Sequence, residues 1–224
     1  MATRLSAWID CHSRYVVEAR YYLRENFDVL IDSLLRAWTH HGASRELYVD
    51  NAKIYHAKSL KLACTQLNIK LLHRPPRDPA PGGLIERFFQ TCQGQFEAEV
   101  RASSILTLED LNGLLAAWLQ QAYHREVHSQ TGQTPHEGYH REPRLVREVD
   151  RGAVLSFFQH RVSRTVDEDH SDIRLENLLF AVDLSLRGDR VIVVYDPFST
   201  LEEVRLKSFH GEFLGMGRRY HRER

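Results

Sequence analysis

The sequence predicts an α/β core followed by a small all-β barrel. Three observations carry that expectation. Short β-rich segments alternate with amphipathic helical segments through residues 1–142. A polar, charged stretch with Pro143 and no sustained period then intervenes at 143–160. Finally, residues 161–224 break into five short strand-like segments within about 65 residues, the pattern of a small barrel.

Residues 5–9 (LSAWI) and 15–23 (YVVEARYYL) are rich in β-formers and flank a polar turn at 10–14, which reads as an antiparallel hairpin. Asn26 is placed to cap a helix whose apolar stripe is Phe27, Leu30, Ile31, Leu34, Leu35 and Trp38, and Gly42 ends it. A strand over 46–49 follows, with Asp50 at its carboxyl end. Carboxyl ends of strands are where open α/β sheets place their chemistry. A second helix over 57–67 turns Leu60, Ala63, Cys64 and Leu67 inward, and 69–72 reads as a short strand.

Residues 74–83 (RPPRDPAPGG) hold four prolines and two glycines, too many for any regular element. From Leu84 to about Arg101 the apolar residues Leu84, Ile85, Phe88, Phe89 and Phe96 recur at helical spacing, with Glu86 and Arg87 in the first turn. Thr107 starts a further helix with a T-x-x-D signal, and its stripe is Leu111, Leu114, Leu115, Trp118 and Leu119. Barrel strands are expected at 161–166, 178–186, 190–196, 203–207 and 212–216.

Composition narrows the function classes. Lys+Arg and Asp+Glu balance at 30 each, which argues against a simple non-specific DNA binder but leaves room for a local basic face. No run of 18 apolar residues is present, so no membrane-spanning helix is expected. Cys11, Cys64 and Cys92 are odd in number and widely spaced; they form neither a zinc pattern nor a disulfide framework and point to a reducing, cytoplasmic setting. The 13 histidines are scattered and read mostly as surface or packing residues.

Two carboxylates stand out, Asp50 after a buried strand and Glu86 at a helix start. Brought together, they offer the hard oxygens that Mg²⁺ prefers. Taken singly, Asp50 reads as a strand-end turn residue, and Glu86 as a helix-start charge stabilised by about 0.3–1 kcal/mol.

Their flanks carry a resemblance. Asp50 within Val49-Asp50-Asn51 and, after 35 intervening residues, Glu86 within G-x-x-E-R-x-F resemble the second and third acidic residues of the DDE transposase and retroviral integrase superfamily, whose core is RNase H-like. Ile9-Asp10 with Ser13-Arg14-Tyr15 resembles that family's second strand and turn. Trp118, Tyr123-His124, His128, Thr131-Gly132 and Thr134-Pro135 resemble the end of its core. The likeness covers roughly residues 4–140. Within the barrel, V-I-V-V-Y-D-P-F is similar to the C-terminal β-barrel of bacteriophage Mu-type transposases.

The resemblance implies an N-terminally truncated RNase H-like mixed-sheet core (1–142), a linker (143–160) and a barrel (161–224). It implies Mg²⁺ or Mn²⁺ held by Asp50 and Glu86, with metal-dependent DNA cleavage and strand transfer during transposition. DNA phosphates would be met by Lys53, Arg74, Arg77 and Arg87, and Arg218, Arg219, Arg222 and Arg224 form a basic tail. Partners would be transposon ends and target DNA, in a homo-oligomer assembled on DNA in the bacterial cytoplasm, near the nucleoid.

The family's first catalytic Asp lies on a strand upstream of the I-D-x-x-S-R-Y segment, and here only Met1–Arg4 precede Leu5. That strand and its Asp are expected to be absent from this chain. Asp10 falls at the family's non-catalytic strand-turn. The alternative is therefore a catalytically inactive remnant serving as a DNA-binding or assembly module.

Overall fold

The computed structural model describes residues 2–75, 83–101, 107–141, 146–197 and 199–221. The chain forms two compact units, Met1–Val154 and Leu155–Arg224.

In the first unit, β1 (Arg4–Ile9) and β2 (Val16–Tyr22) form an antiparallel hairpin with Leu5 opposite Tyr21 and Ala7 opposite Ala19. The turn is tied by Asp10, whose carboxylate accepts from the Ser13 N–H at 2.8 Å and its hydroxyl at 2.6 Å. Helix α1 (Phe27–His41) is capped at both ends as its sequence requires: Asn26 accepts from the Val29 N–H, and Gly42 takes φ 77°. Strand β3 (Glu46–Val49) pairs in parallel with β4 (Lys70–His73) across helix α2 (Lys58–Gln66), which follows a short 3₁₀ turn, Lys53–His56.

The helical run expected from 84 to 101 is two helices, α3 (Gly83–Gly94) and α4 (Phe96–Arg101). Helix α5 (Leu108–Gln121) is capped by Thr107. Helix α6 (Pro135–His140) opens with a full capping box between Thr134 and Glu137.

Alternation along the hairpin decides what lies on each side of it. Leu5, Ala7, Ile9, Ala19 and Tyr21 pack with Phe88, Cys92, Phe96, Leu111, Leu115 and Leu119 of α3, α4 and α5. On the other face, the Trp8 indole and the Ser6 hydroxyl both donate to Ser33 of α1, and Tyr22 donates to Asp32. The hairpin is thus sandwiched between helices.

One mixed sheet was the expectation for this unit. Among the described residues, its four strands instead form two separate two-stranded sheets, β1-β2 and β3-β4. Residues 146–154 fold with it: Arg147 donates to the Ser44, Leu67 and Asn68 carbonyls, and its own carbonyl accepts from the Ala43 N–H. Helix α7 (Arg151–Leu155) runs across the boundary between the units.

The second unit is an antiparallel, nearly closed barrel of six strands in the order β5-β8-β9-β10-β7-β6. These are β5 (His160–Thr165), β6 (Asp172–Leu175), β7 (Leu178–Ala181), β8 (Arg190–Tyr195), β9 (Glu203–Lys207) and β10 (Phe213–Tyr220). Val166, Ile173, Phe180, Val191, Val193, Val204 and Leu206 fill its interior. Between the outer strands β5 and β6, the Arg164 side chain donates to the Arg174 carbonyl at 2.8 Å.

Candidate functional site

The first unit holds an open groove of ≈ 1060 Å³ running along β1 and the end of β3. Asp50, Arg74 and Glu86 line it together, although Asp50 and Glu86 are 36 positions apart. Three local arrangements hold them there. Asp50 follows β3 and is exposed; its Oδ1 accepts from the Ala52 N–H at 2.8 Å in a tight turn that leads into the 3₁₀ segment. Asn51 donates to the Arg74 carbonyl, and the Arg74 N–H donates to the Val49 carbonyl at 2.8 Å, so the ends of β3 and β4 are bound side by side. Glu86 is in the first turn of α3, and its Oε1 lies 3.6 Å from the Arg74 guanidinium.

That ion pair is exposed on the Glu86 side (62%), so its worth is at most about 1 kcal/mol. Its meaning is positional: a cation sits on the carboxylate that faces the groove. Asp50 keeps Oδ2, and Glu86 keeps Oε2, beyond the contacts described. Both carboxylates therefore suit a hard divalent cation as partial ligands, with water or phosphate oxygens completing its shell.

The other expected residues are placed differently. Lys53 is exposed on the 3₁₀ turn and Arg87 is exposed on α3; neither lines the groove. Arg77 lies outside the described residues, as do Arg222 and Arg224. Arg218 and Arg219 belong to β10 and pair with Glu203 and Glu202 of the same barrel. Among the described residues, three metal-ligating side chains converge only at Asp167, Asp169 and His170, in the β5–β6 turn. There the Asp167 Oδ1 already accepts from the Asp169 N–H, the His170 N–H and the His170 ring, so the cluster is a turn cap.

Several groove residues gave no signal in the sequence. Tyr55 has its hydroxyl pKa pushed up to about 12, by burial first and then by the Asp50 and Glu25 carboxylates. Glu25 in turn lies 4.0 Å from Arg4. The Arg4 end of β1 is thereby at the Asp50 end of β3. Next to Asp50, the His56 and His73 rings stack at 4.3 Å, and His73 Nδ1 is 3.4 Å from the Asp50 carbonyl. Tyr55 and His56 are near Asp50 along the chain, whereas Arg4, Glu25 and His73 are distant from it and had no such cue.

Comparison with known proteins agrees with this architecture. Residues 14–101 match the TnsB C-terminal domain family, a segment that contains both Asp50 and Glu86. The fold is similar to a chain of the simian T-cell lymphotropic virus intasome in complex with PP2A regulatory subunit B56 gamma. That likeness has TM-score 0.55 and 20% identity, and covers 99% of this chain and 74% of that one. The HTLV-2 integrase catalytic core domain in complex with magnesium is similar over 62% of this chain and 85% of its own, at TM-score 0.50 and 20% identity. No curated protein matches. Residues 14–101 are thus similar to the TnsB C-terminal domain, on a fold resembling that of retroviral integrase cores.

Proposed function

We propose that this chain is the catalytic-core and barrel portion of a DDE-type transposase, acting in metal-dependent DNA cleavage and strand transfer. The observation that carries the reading is the convergence of Asp50 and Glu86 on one groove, within the segment that matches a transposase domain. The magnesium complex of the similar HTLV-2 core supports a divalent cation, Mg²⁺ or Mn²⁺, as the cofactor.

Asp50 and Glu86 would hold the cation through carboxylate oxygens. When bound, such ions stabilise the attacking and leaving oxygens of an in-line displacement at phosphorus. Arg74 has two tasks in this scheme. It neutralises Glu86 while no cation is present, and once displaced it offers a bidentate donor to a DNA phosphate. Lys53 and Arg87, outside the groove, would contact the flanking backbone, and Arg77 belongs to the same proposed set. Partners are transposon ends and target DNA, with assembly as an oligomer on DNA, in line with the intasome source of one similar fold.

The separation of β1-β2 from β3-β4 favours a second reading, a non-catalytic DNA-binding or assembly module. Mn²⁺ titration followed by water proton relaxation tests the first. Saturable binding that is lost in both Asp50→Asn and Glu86→Gln supports it. Unchanged binding in either variant removes the site assignment, and DNA binding without any Mn²⁺ binding leaves the module.

A further inference from the structure

Alternation along each strand assigns the two faces of the barrel sheet. Val193 of β8 pairs with Leu206 of β9, and both are fully buried in the interior. Their chain neighbours Ile192, Arg205 and Lys207 therefore point outward. Ile192 stands opposite Lys207, and Lys207 opposite Phe213, so one outer rung crosses β8, β9 and β10. Arg205 stands opposite Met216 in the next rung.

This outer face is apolar where an exterior is usually polar. Phe213 is 63% exposed and Phe209, in the turn before β10, is 58% exposed; among the described residues no other phenylalanine is exposed. Met216 is exposed as well. Between the apolar columns of β8 and β10 runs a basic line on β9. Arg205 and Lys207 make no ion pair among the described residues. Arg190, at the start of β8, adds a third cation, and its guanidinium lies 5.6 Å from the Phe209 ring centroid. Exposed aromatic, Met and Arg side chains gathered on one face are the composition of a protein interface.

The same face is a poor track for a nucleic-acid backbone, which needs a continuous run of cations. Arg218, further along β10, is neutralised by Glu203 at 3.2 Å, and Glu212 lies in the turn at the opposite end. Carboxylates thus stand at both ends of the basic line. One face of the Phe209 ring is already taken by Arg190. A partner with two carboxylates, by contrast, needs only the two cations of β9.

Dimensions select the form of that partner. The outer columns of three adjacent strands are about 9.6 Å apart, and an α-helix with its side chains is about 10 Å across. Arg205 and Lys207 are two residues apart on one strand, about 6.8 Å, and a helix rises about 6 Å from i to i+4.

We infer that the β8-β9-β10 face of the barrel binds an acidic amphipathic helix of a partner protein. Its carboxylates at i and i+4 meet Arg205 and Lys207, and the apolar side chains beside them pack on Ile192, Phe213 and Met216. The inference concerns the barrel alone and stands whether or not Asp50 and Glu86 bind metal.

The test uses the full chain and a fluorescein-labelled fifteen-residue helical peptide with glutamate at its fifth and ninth positions and leucines on both sides of them. Anisotropy should saturate, and the double variant Arg205→Glu, Lys207→Glu should bind at least tenfold more weakly. A second peptide, with lysine in place of both glutamates, should show the reverse preference by the same factor, a rescue that a misfolded barrel could not give. Phe213→Ser should weaken binding of the first peptide by tenfold or more while leaving its salt dependence unchanged. Equal binding by wild type and the charge-reversed variant overturns the proposal, and so does loss of binding without rescue. Displacement of the peptide by a random-sequence DNA duplex whose own binding is lost in the same variant overturns it in favour of a nucleic-acid surface. Self-association in sedimentation velocity that disappears in Phe213→Ser overturns it in favour of a second copy. Absence of saturable peptide binding overturns it too.

Discussion

Asn112 Oδ1 accepts from the Tyr21 N–H at 2.7 Å while Asn112 Nδ2 donates to the Tyr21 carbonyl at 3.1 Å, so one buried side chain of α5 closes the outer edge of the hairpin. Both backbone groups lose their partner in Asn112→Ala. Leaving a buried polar group unpaired costs about 1–3 kcal/mol, so a loss of about 2–4 kcal/mol is expected in urea denaturation. Asn112→Asp keeps the acceptor and loses the donor, and it places a charge against the Tyr21 carbonyl. A value below that of a surface substitution would show the pairing to be unimportant.

The Arg74–Glu86 pair makes a prediction about competition. If Arg74 occupies the place of a cation, Arg74→Gln should strengthen Mn²⁺ binding, not weaken it. An exposed pair is worth about 0.2–1 kcal/mol, which sets the gain at roughly 1.4- to fivefold. DNA affinity should move the opposite way, with the salt dependence of binding flattening by about one phosphate. Mn²⁺ relaxation titrations and DNA anisotropy at several salt concentrations would read both effects. A weaker Mn²⁺ affinity in Arg74→Gln would mean that Arg74 shapes the site instead of competing for it.

How legible these features were in the sequence depends on the range of the interaction behind each. The caps Asn26, Gly42 and Thr107 act within a few residues and were readable as such. Strand β6 was not, because its two-residue turn is Glu176-Asn177, both at positive φ (48° and 64°), where an Asn-Gly pair would have announced it. The break between α3 and α4 follows Gly94, yet the apolar period continues through Phe96 and concealed it. Asp50 and Glu86 were singled out by spacing, but the Arg74 contact and the separation of β1-β2 from β3-β4 arise from tertiary placement. No local pattern encodes them.

His124 provides a pH prediction. It is 1% exposed, stacks on Tyr15 at 3.8 Å, and its Nε2 accepts from the Val16 N–H, an arrangement that requires the neutral ring. Burial lowers its pKa from 6.5 to about 4, with the His136, His41 and His140 rings adding to the effect. Between those two values the unfolded chain holds the proton and the folded one does not. Stability is therefore full above pH 6.5, falls as pH drops toward 4 and levels off below, by up to about 3 kcal/mol. Glu18 acts in the opposite sense, since burial pushes its carboxyl up to about 7 and its contribution is lost as pH rises through that value. The two are separated by the difference in urea stability between wild type and His124→Gln across pH 4–7. A difference that does not change with pH would exclude His124 as the source.

Within the barrel, Gly217 on β10 is set against side chains of two other strands. A Cβ there would stand 2.9 Å from Val204 Cγ2 and 3.3 Å from Phe180 Cβ, both in the fully packed interior. Both neighbours are buried, and overpacking of a buried contact costs about 1–3 kcal/mol. Gly217→Ala is accordingly expected to loosen the barrel. Gly211, in the turn between β9 and β10, offers the contrast: its Cβ would meet nothing within 4 Å, and only its φ of 90° opposes substitution. Amide hydrogen exchange in β7, β9 and β10 distinguishes them. In Gly217→Ala the faster exchange should spread across all three strands, whereas in Gly211→Ala it should stay near the turn. Equal and local effects in the two variants would show that the contact with Val204 and Phe180 does not limit the packing.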